Sequence, residues 1–208
     1  MDIALDPPRH ILRLPENWQP LKTMPDDPPG TRVIGYHDAG SEGMVLITPV
    51  SAGDFFMPFD QTAVISGIRP ALAETDSGLV EAATGRDLAG HRFVYTIIKG
   101  AMEPAGMQYT LTLHIESDGP TRFQIQGFFS ERGTTGVRDA LVQELKQRDG
   151  TVRRGENGLE GWLLNPYDDA EDGLLMNLSE SREYDGMFPN HPLTQARWFA
   201  AAVSSCAG

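Results

Sequence analysis

Cysteine is nearly absent: Cys206 is the only one in 208 residues. A disulfide framework and a cysteine-rich zinc site are therefore excluded. Basic residues are scarce beside acidic ones, 17 Lys and Arg against 29 Asp and Glu, a formal net charge of -12. Such a chain is poorly suited to a nucleic-acid backbone, which needs clustered cations, and it is repelled by anionic membranes. No run approaches the roughly 20 apolar residues of a membrane-spanning helix. The first residues, MDIALDPPRH, carry acids and prolines where a secretory signal needs a basic start and an apolar run. Cytoplasmic residence is the expectation. The chain also lacks a G-x-S-x-G elbow, a phosphate-binding P-loop, a zinc helix with histidines four apart and a Ca²⁺ loop. No cofactor and no metal are expected, and no repeat or low-complexity run occurs.

What is present is a strand-rich centre from His91 to Asp149. In FVYTIIK, GMQYTLTLHIES and TRFQIQGFF apolar residues alternate with polar ones, the pattern of strands with one buried face. Tyr109, Leu111, Leu113 and Ile115 are expected to point one way, and Thr110, Thr112, His114 and Glu116 the other. Ser117-Asp118-Gly119-Pro120 reads as a hairpin turn. Beyond Ser130 the period becomes helical: Val137, Ala140, Leu141 and Leu145 share a stripe, with Thr135 as N-cap and Gly150 as stop. Leu141 and Leu145 should then face the sheet, with Leu141→Ala costing roughly 2–5 kcal/mol, while Arg138 and Lys146 should tolerate alanine.

Before this centre, Ile11, Leu12 and Leu14 read as a short strand leading to a Pro-Glu-Asn-Trp turn, where Trp18 closes one end of a core. A hairpin around Ala39 to Gly43 follows, its glycines suited to positive φ. Asp60 should cap a helix bearing Val64, Ile65, Ile68, Leu72 and Ala73, with a kink or break at Pro70. Leu79 to Thr84 returns to strand. The 22 glycines and 15 prolines speak against an all-helical chain. After Gly150 the composition shifts: between Glu156 and Asp185 nine acids face one base, Arg182. Apolar and aromatic residues are interspersed there, which disordered tails lack. GWLLNP and GLLMNL read as strands joined by the acidic turn YDDAEDG. A final helix from Pro192 should present Leu193, Ala196, Phe199, Ala200 and Val203.

The fold class is therefore α+β, a mostly antiparallel sheet flanked by helices. It divides into residues 1–149 and an acidic C-terminal extension, 150–208, packed on the same domain. LPENWQPL, the helix around Ile65 to Leu72, LAGHRFVYTI, GMQYTLTLHI, and TRFQIQGFF leading into VRDALVQEL give an element order that resembles the Mog1/PsbP-like α/β/α superfamily. The superfamily includes Ran-binding proteins, photosystem proteins and bacterial secretion-chaperone-like domains. The likeness covers residues 10–149 and implies a binding or escort domain without catalysis; it names no partner.

Candidate sites follow from the strands. Thr110, Thr112 and His114, beside Gln124 and Gln126 on the next strand, form a ladder of hydrogen-bonding side chains that suits a partner protein or peptide. The plain alternative is a sheet face showing polar residues to water, His114 as a solvated histidine. Arg132, Thr134 and Thr135 precede a helix start, where backbone N–H groups attract anions; a flexible connector with a Thr cap is the plainer reading and the one preferred. A catalytic alternative is a small hydrolase assembled from Ser130, His114 or His37 and acids of the C-terminal segment, although no spacing favours a triad.

Overall fold

The structure, a computed structural model, describes the chain apart from residues 7–9, 52, 54–56, 117–120, 157, 168–173 and 206–208. Three sequence readings lie outside the described residues: the Ser117–Pro120 turn, Cys206 and the acids of YDDAEDG.

The chain opens with a hairpin, β1 (Asp2–Asp6) and β2 (His10–Arg13). Seven strands follow: β3 (Trp18–Leu21), β4 (Arg32–His37), β5 (Ser41–Ser51), β6 (Ser77–Arg86), β7 (Arg92–Ala101), β8 (Met107–Ile115) and β9 (Thr121–Glu131). They form one sheet in the order β3-β4-β5-β9-β8-β7-β6, every pair antiparallel. The alternation in the sequence sets the register. Leu113 pairs with Tyr95 on one side and Ile125 on the other, so the apolar sets of three strands fall on one face, as a period of two demands.

Helix α3 (Pro192–Ser204) lies on that first face against β8 and β9. Leu193, Ala196, Phe199, Ala200 and Val203 are all fully buried, the stripe expected from their spacing. Trp18 meets Tyr36 at 4.9 Å and Phe199 at 5.3 Å between ring centroids, and so closes the core at the β3 edge. The β1–β2 hairpin adds Ile3, Leu5, Leu12 and Leu14 to the same core; β1 went unread because Met1–Leu5 carries too few alternating residues to register as a strand.

Helix α1 (Gln61–Ala73) packs along β6. The Asp60 Oδ1 accepts the Ala63 N–H at 2.8 Å, the cap its sequence position suggests. Pro70 does not end this helix, which runs on to Ala73. The β4–β5 hairpin turns between His37 and Ser41, but neither Gly40 nor Gly43 takes a positive φ.

Helix α2 (Val137–Arg148) departs most from expectation. Leu141 and Leu145 do not face the sheet; they are 46% and 42% exposed, and Val137 is 42% exposed. Arg138 and Val142 point inward instead, at 1% and 0%. The reason is the packing partner. α2 lies against the turn Leu178–Glu180 rather than on the sheet. A turn presents carbonyl oxygens, which a guanidinium satisfies and a leucine does not. The N-cap is Gly136, φ 71°, and not Thr135.

The C-terminal segment forms two small hairpins, β10 (Arg153–Gly155) with β11 (Gly158–Glu160) and β12 (Leu163–Leu164) with β13 (Met176–Asn177). The second was expected; the first was not. Between β12 and β13 the chain meets the β6 edge. The Leu174 N–H donates to the Ser77 carbonyl at 3.2 Å, and the Ala82 N–H to the Tyr167 hydroxyl at 3.1 Å. A Cβ on Gly78 would stand 1.6 Å from the Leu174 oxygen, so only glycine admits this approach. The opposite edge, β3, is short and contains Pro20, which blunts it against pairing.

Candidate functional site

Between the first face and the C-terminal segment lies a buried network of charges. Lys99 Nζ meets Glu180 Oε2 at 2.7 Å with both side chains at 3% exposure or less. Glu180 also accepts the Tyr109 hydroxyl at 3.2 Å and the Asn177 N–H at 2.8 Å. Arg138 donates to the carbonyls of Ser179 (2.7 Å) and Ser181 (3.1 Å), to Thr194 Oγ1 (3.0 Å) and to Asp185 Oδ1 (3.0 Å). Arg197 joins Asp185 at 2.9 Å to Glu81 at 2.8 Å, and donates to the Glu180 carbonyl at 2.7 Å. Arg182 and the Tyr95 hydroxyl complete the shell of Glu81. Burial drives the Glu81 carboxyl up, but hydrogen bonds from Arg182 and Tyr95 and the charge of Arg197 outweigh it and hold it below its usual range. Each ion is met by opposite charge and by hydrogen bonds, the condition under which charges persist inside a protein.

Sequence reading counted Glu180 and Asp185 among the acids of the C-terminal segment and gave neither them nor Glu81 a role. The missed signal was the set of bases placed among apolar residues in strand or helix: Lys99 in FVYTIIK, Arg138 in the first turn of α2, Arg197 between Ala196 and Trp198. The Lys99–Glu180 and Arg138 parts of the network are enclosed, whereas its Glu81 end borders a pocket that Tyr95, Tyr167, Arg182 and Arg197 also line.

Two histidines are held neutral nearby or on the far side of the sheet. His191 Nδ1 accepts the Leu193 N–H at 3.2 Å, which places the ring proton on Nε2. Burial, then the charges of Arg138 and Arg197, push its pKa down to about 3. His114 is 6% exposed, and burial pushes it down to about 4. The solvated histidine expected at position 114 is thus overturned: the second face is dry along β6 and β7, where Ala82, Val94 and Thr96 are 3%, 1% and 2% exposed, and His114 pairs with Val94 at the boundary. Both histidines have folded pKa values below the ordinary 6.5. Their contribution to stability is complete above pH 6.5 and is lost as pH falls toward 4 for His114 and 3 for His191. Urea unfolding at pH 7, 6 and 5 should show stability starting to fall near pH 6.5 and, below pH 6, falling by a slope that approaches about 1.4 kcal/mol per unit for each histidine; a flat profile over that range would contradict this burial.

The register places the rest of the predicted ladder together on the second face. One row crosses all seven strands: Leu21, Val33, Leu46, Gln126, Thr112, Thr96 and Ala82. Gln124 stands opposite His114, and Thr110 opposite Phe128. Away from α1 this face is only partly covered. Thr110, Thr112, Gln124, Gln126, Leu46 and Phe128 are half-buried, and Met44 and Leu21 are 41% and 38% exposed. At its lower rim Glu116 is held at 2.7 Å by Arg92 and at 3.9 Å by Arg122; the Arg92 hydrogen bond pushes the Glu116 carboxyl down to about 2.

Ser130 lies at the upper end of the same face, 6% exposed, its Oγ accepting from Gln108 Nε2 at 3.2 Å. His37 and Ser130 both pair with Glu42, on either side of it. They are therefore two strand spacings apart, about 10 Å, beyond hydrogen-bond reach. His114 is farther along the sheet. Among the described residues no hydrogen bond joins Ser130 to a histidine, and no three His, Cys, Asp or Glu side chains converge on a metal position. At the start of α2, Glu131 accepts the Gly136 N–H at 2.9 Å and the Met107 N–H at 3.1 Å. A carboxylate of the chain itself thus sits where Arg132, Thr134 and Thr135 were expected to gather an anion. Arg132 turns away to Glu42 at 2.6 Å, Thr134 is exposed and Thr135 half-buried.

No helix among the described residues is long and apolar enough to cross a membrane. No family model matches the chain, and no curated protein matches it.

Proposed function

We propose that this chain is a non-catalytic protein-binding module, of chaperone or escort character, that receives a partner's helix on the partly covered second face of its sheet. The observation that carries this reading is the incomplete second layer. Seven strands span about 29 Å from edge to edge at 4.8 Å each, whereas one helix covers about 10 Å. α1 packs along β6, which leaves β5, β9 and the near side of β8 with half-buried side chains. The surface is mixed: Leu21, Met44, Leu46 and Phe128 offer apolar contact, and Thr110, Thr112, Gln124 and Gln126 offer hydroxyl and amide groups. An amphipathic segment with both kinds of side chain suits it. The resemblance to Mog1/PsbP-like domains points to the same class of function.

The face carries charge only at its rims, so salt should affect binding weakly. In affinity capture from the native host, quantified by mass spectrometry, Gln124→Ala with Gln126→Ala should lose the protein that the wild type retains. Its thermal midpoint should be nearly unchanged, because both side chains are half-buried. Ser130→Ala should retain it. Equal capture by the double variant, or ester turnover that vanishes in Ser130→Ala, would replace this reading with the hydrolase.

A further inference from the structure

A pocket of about 660 Å³ opens where β6 and β7 meet the β12–β13 hairpin and α3. Ala83, Leu164, Pro166, Met176, Tyr95 and Tyr167 give it a mostly apolar wall, and the Glu81 end of the charge network supplies its polar side. Glu81 Oε1 takes the Tyr95 hydroxyl and Arg182 Nη2; Oε2 takes Arg182 Nε at 3.2 Å and Arg197 Nε at 2.8 Å. Four donors fill a carboxylate, so Glu81 has no lone pair left for a ligand. The donors are not used up. Arg182 holds Glu81 through Nε and Nη2, and among the described residues no acceptor meets its Nη1. The Tyr167 hydroxyl accepts the Ala82 N–H at 3.1 Å, and among the described residues its own hydrogen has no acceptor. Charge is in surplus as well. The ion pairs of the network join four bases, Lys99, Arg138, Arg182 and Arg197, to three acids, Glu81, Glu180 and Asp185, an excess of one positive charge. Asp139, on α2, is taken by Asn177 and Ser179 rather than by a base. Three of the bases have side chains 4% exposed or less, whereas that of Arg182 is 61% exposed. The surplus reaches the pocket at Arg182.

We propose that this pocket binds a small monocarboxylate with an apolar body, its carboxylate on Arg182 Nη1 and the Tyr167 hydroxyl and its body against Leu164, Pro166 and Met176. Its size and its mostly apolar wall with a few convergent polar groups are those of small-molecule sites. The open polar groups are donors, so the ligand must bring an acceptor. A primary amine finds no acceptor on Glu81 and meets the surplus positive charge. A neutral amide satisfies the donors without the charge, and a charge-assisted hydrogen bond is about twice as strong as a neutral one. Glu81 fixes the Arg182 guanidinium in advance, so little side-chain freedom is lost on binding. The site lies at the β6 edge, away from β5 and β9, and does not depend on the sheet-face reading.

The test is a fluorine NMR titration of the full chain with a fluorophenyl-propionate, with the amide and the primary amine of the same skeleton run in parallel. The carboxylate should bind about tenfold or more tighter than the amide, and the amine should not bind. Arg182→Gln should weaken the carboxylate by about tenfold or more. That variant also removes a partner of Glu81, so a second pair of variants reads the charge of the site independently of stability. Pro166 is exposed at the pocket wall. Pro166→Glu should weaken the carboxylate by about threefold or more and Pro166→Lys should not, both with unchanged thermal midpoints. Leu141→Glu, on the exposed side of α2, should leave binding intact. No binding of the carboxylate, equal or tighter binding of the amide or the amine, undiminished binding by Arg182→Gln or Pro166→Glu, or loss of binding in Leu141→Glu would each overturn the proposal.

Discussion

Arg138→Ala should destabilise the protein by about 3–5 kcal/mol, the cost of breaking a buried, hydrogen-bonded charge pair from one side. The side chain is 1% exposed and donates to four acceptors. Its loss strands the Ser179 and Ser181 carbonyls and removes one of the two arginines that hold Asp185. Leu141→Ala, three residues on, should change stability by less than about 0.5 kcal/mol, as exposed substitutions do. Urea midpoints of the two variants decide the orientation of α2. A large cost at Leu141 with little at Arg138 would mean that the helix is turned the other way.

Lys99→Met should be nearly as costly, about 3–5 kcal/mol. It leaves the Glu180 carboxylate, 2% exposed, with the Tyr109 hydroxyl and the Asn177 N–H but no opposing charge at its other oxygen lobe. Neutralising the stranded group should restore part of the loss. Lys99→Met with Glu180→Gln is therefore expected to be more stable than Lys99→Met alone by about 1 kcal/mol or more, because an amide costs less to bury than an unpaired carboxylate. Additive losses in the double variant would show that the two side chains do not act as a pair.

The fold was legible where one side of an element meets hydrocarbon. The strands β7, β8 and β9 and the α3 stripe were readable because alternation and 3.6-residue spacing report burial against apolar neighbours. The same rule failed at α2. There the spacing of Val137, Leu141 and Leu145 marked an apolar stripe correctly but assigned it to the wrong side, because the inward side is lined with turn carbonyls that call for Arg138. His114 was misread for a related reason. It alternates with threonines on a polar strand face, yet Val94 beside it lies in the dry part of the second face. Whether such a face is wet depends on which strands a helix covers, and that is a matter of tertiary arrangement. The charge network was illegible because its members, Glu81, Lys99, Arg138, Glu180, Asp185 and Arg197, are far apart in sequence and meet only where α2, α3 and the turns of residues 178–185 pack beside β6 and β7.

The binding reading stands or falls on what touches the second face. A photo-crosslinking amino acid at position 112, with control chains carrying it at Leu88 or at Arg153, measures this in the native host. One recurrent protein adduct is expected from position 112, joined through an amphipathic helical segment of that protein, absent from position 88, and lost when Gln124 and Gln126 are both changed to alanine. Adducts at position 112 that are diffuse, or the same as those at position 88, would contradict it.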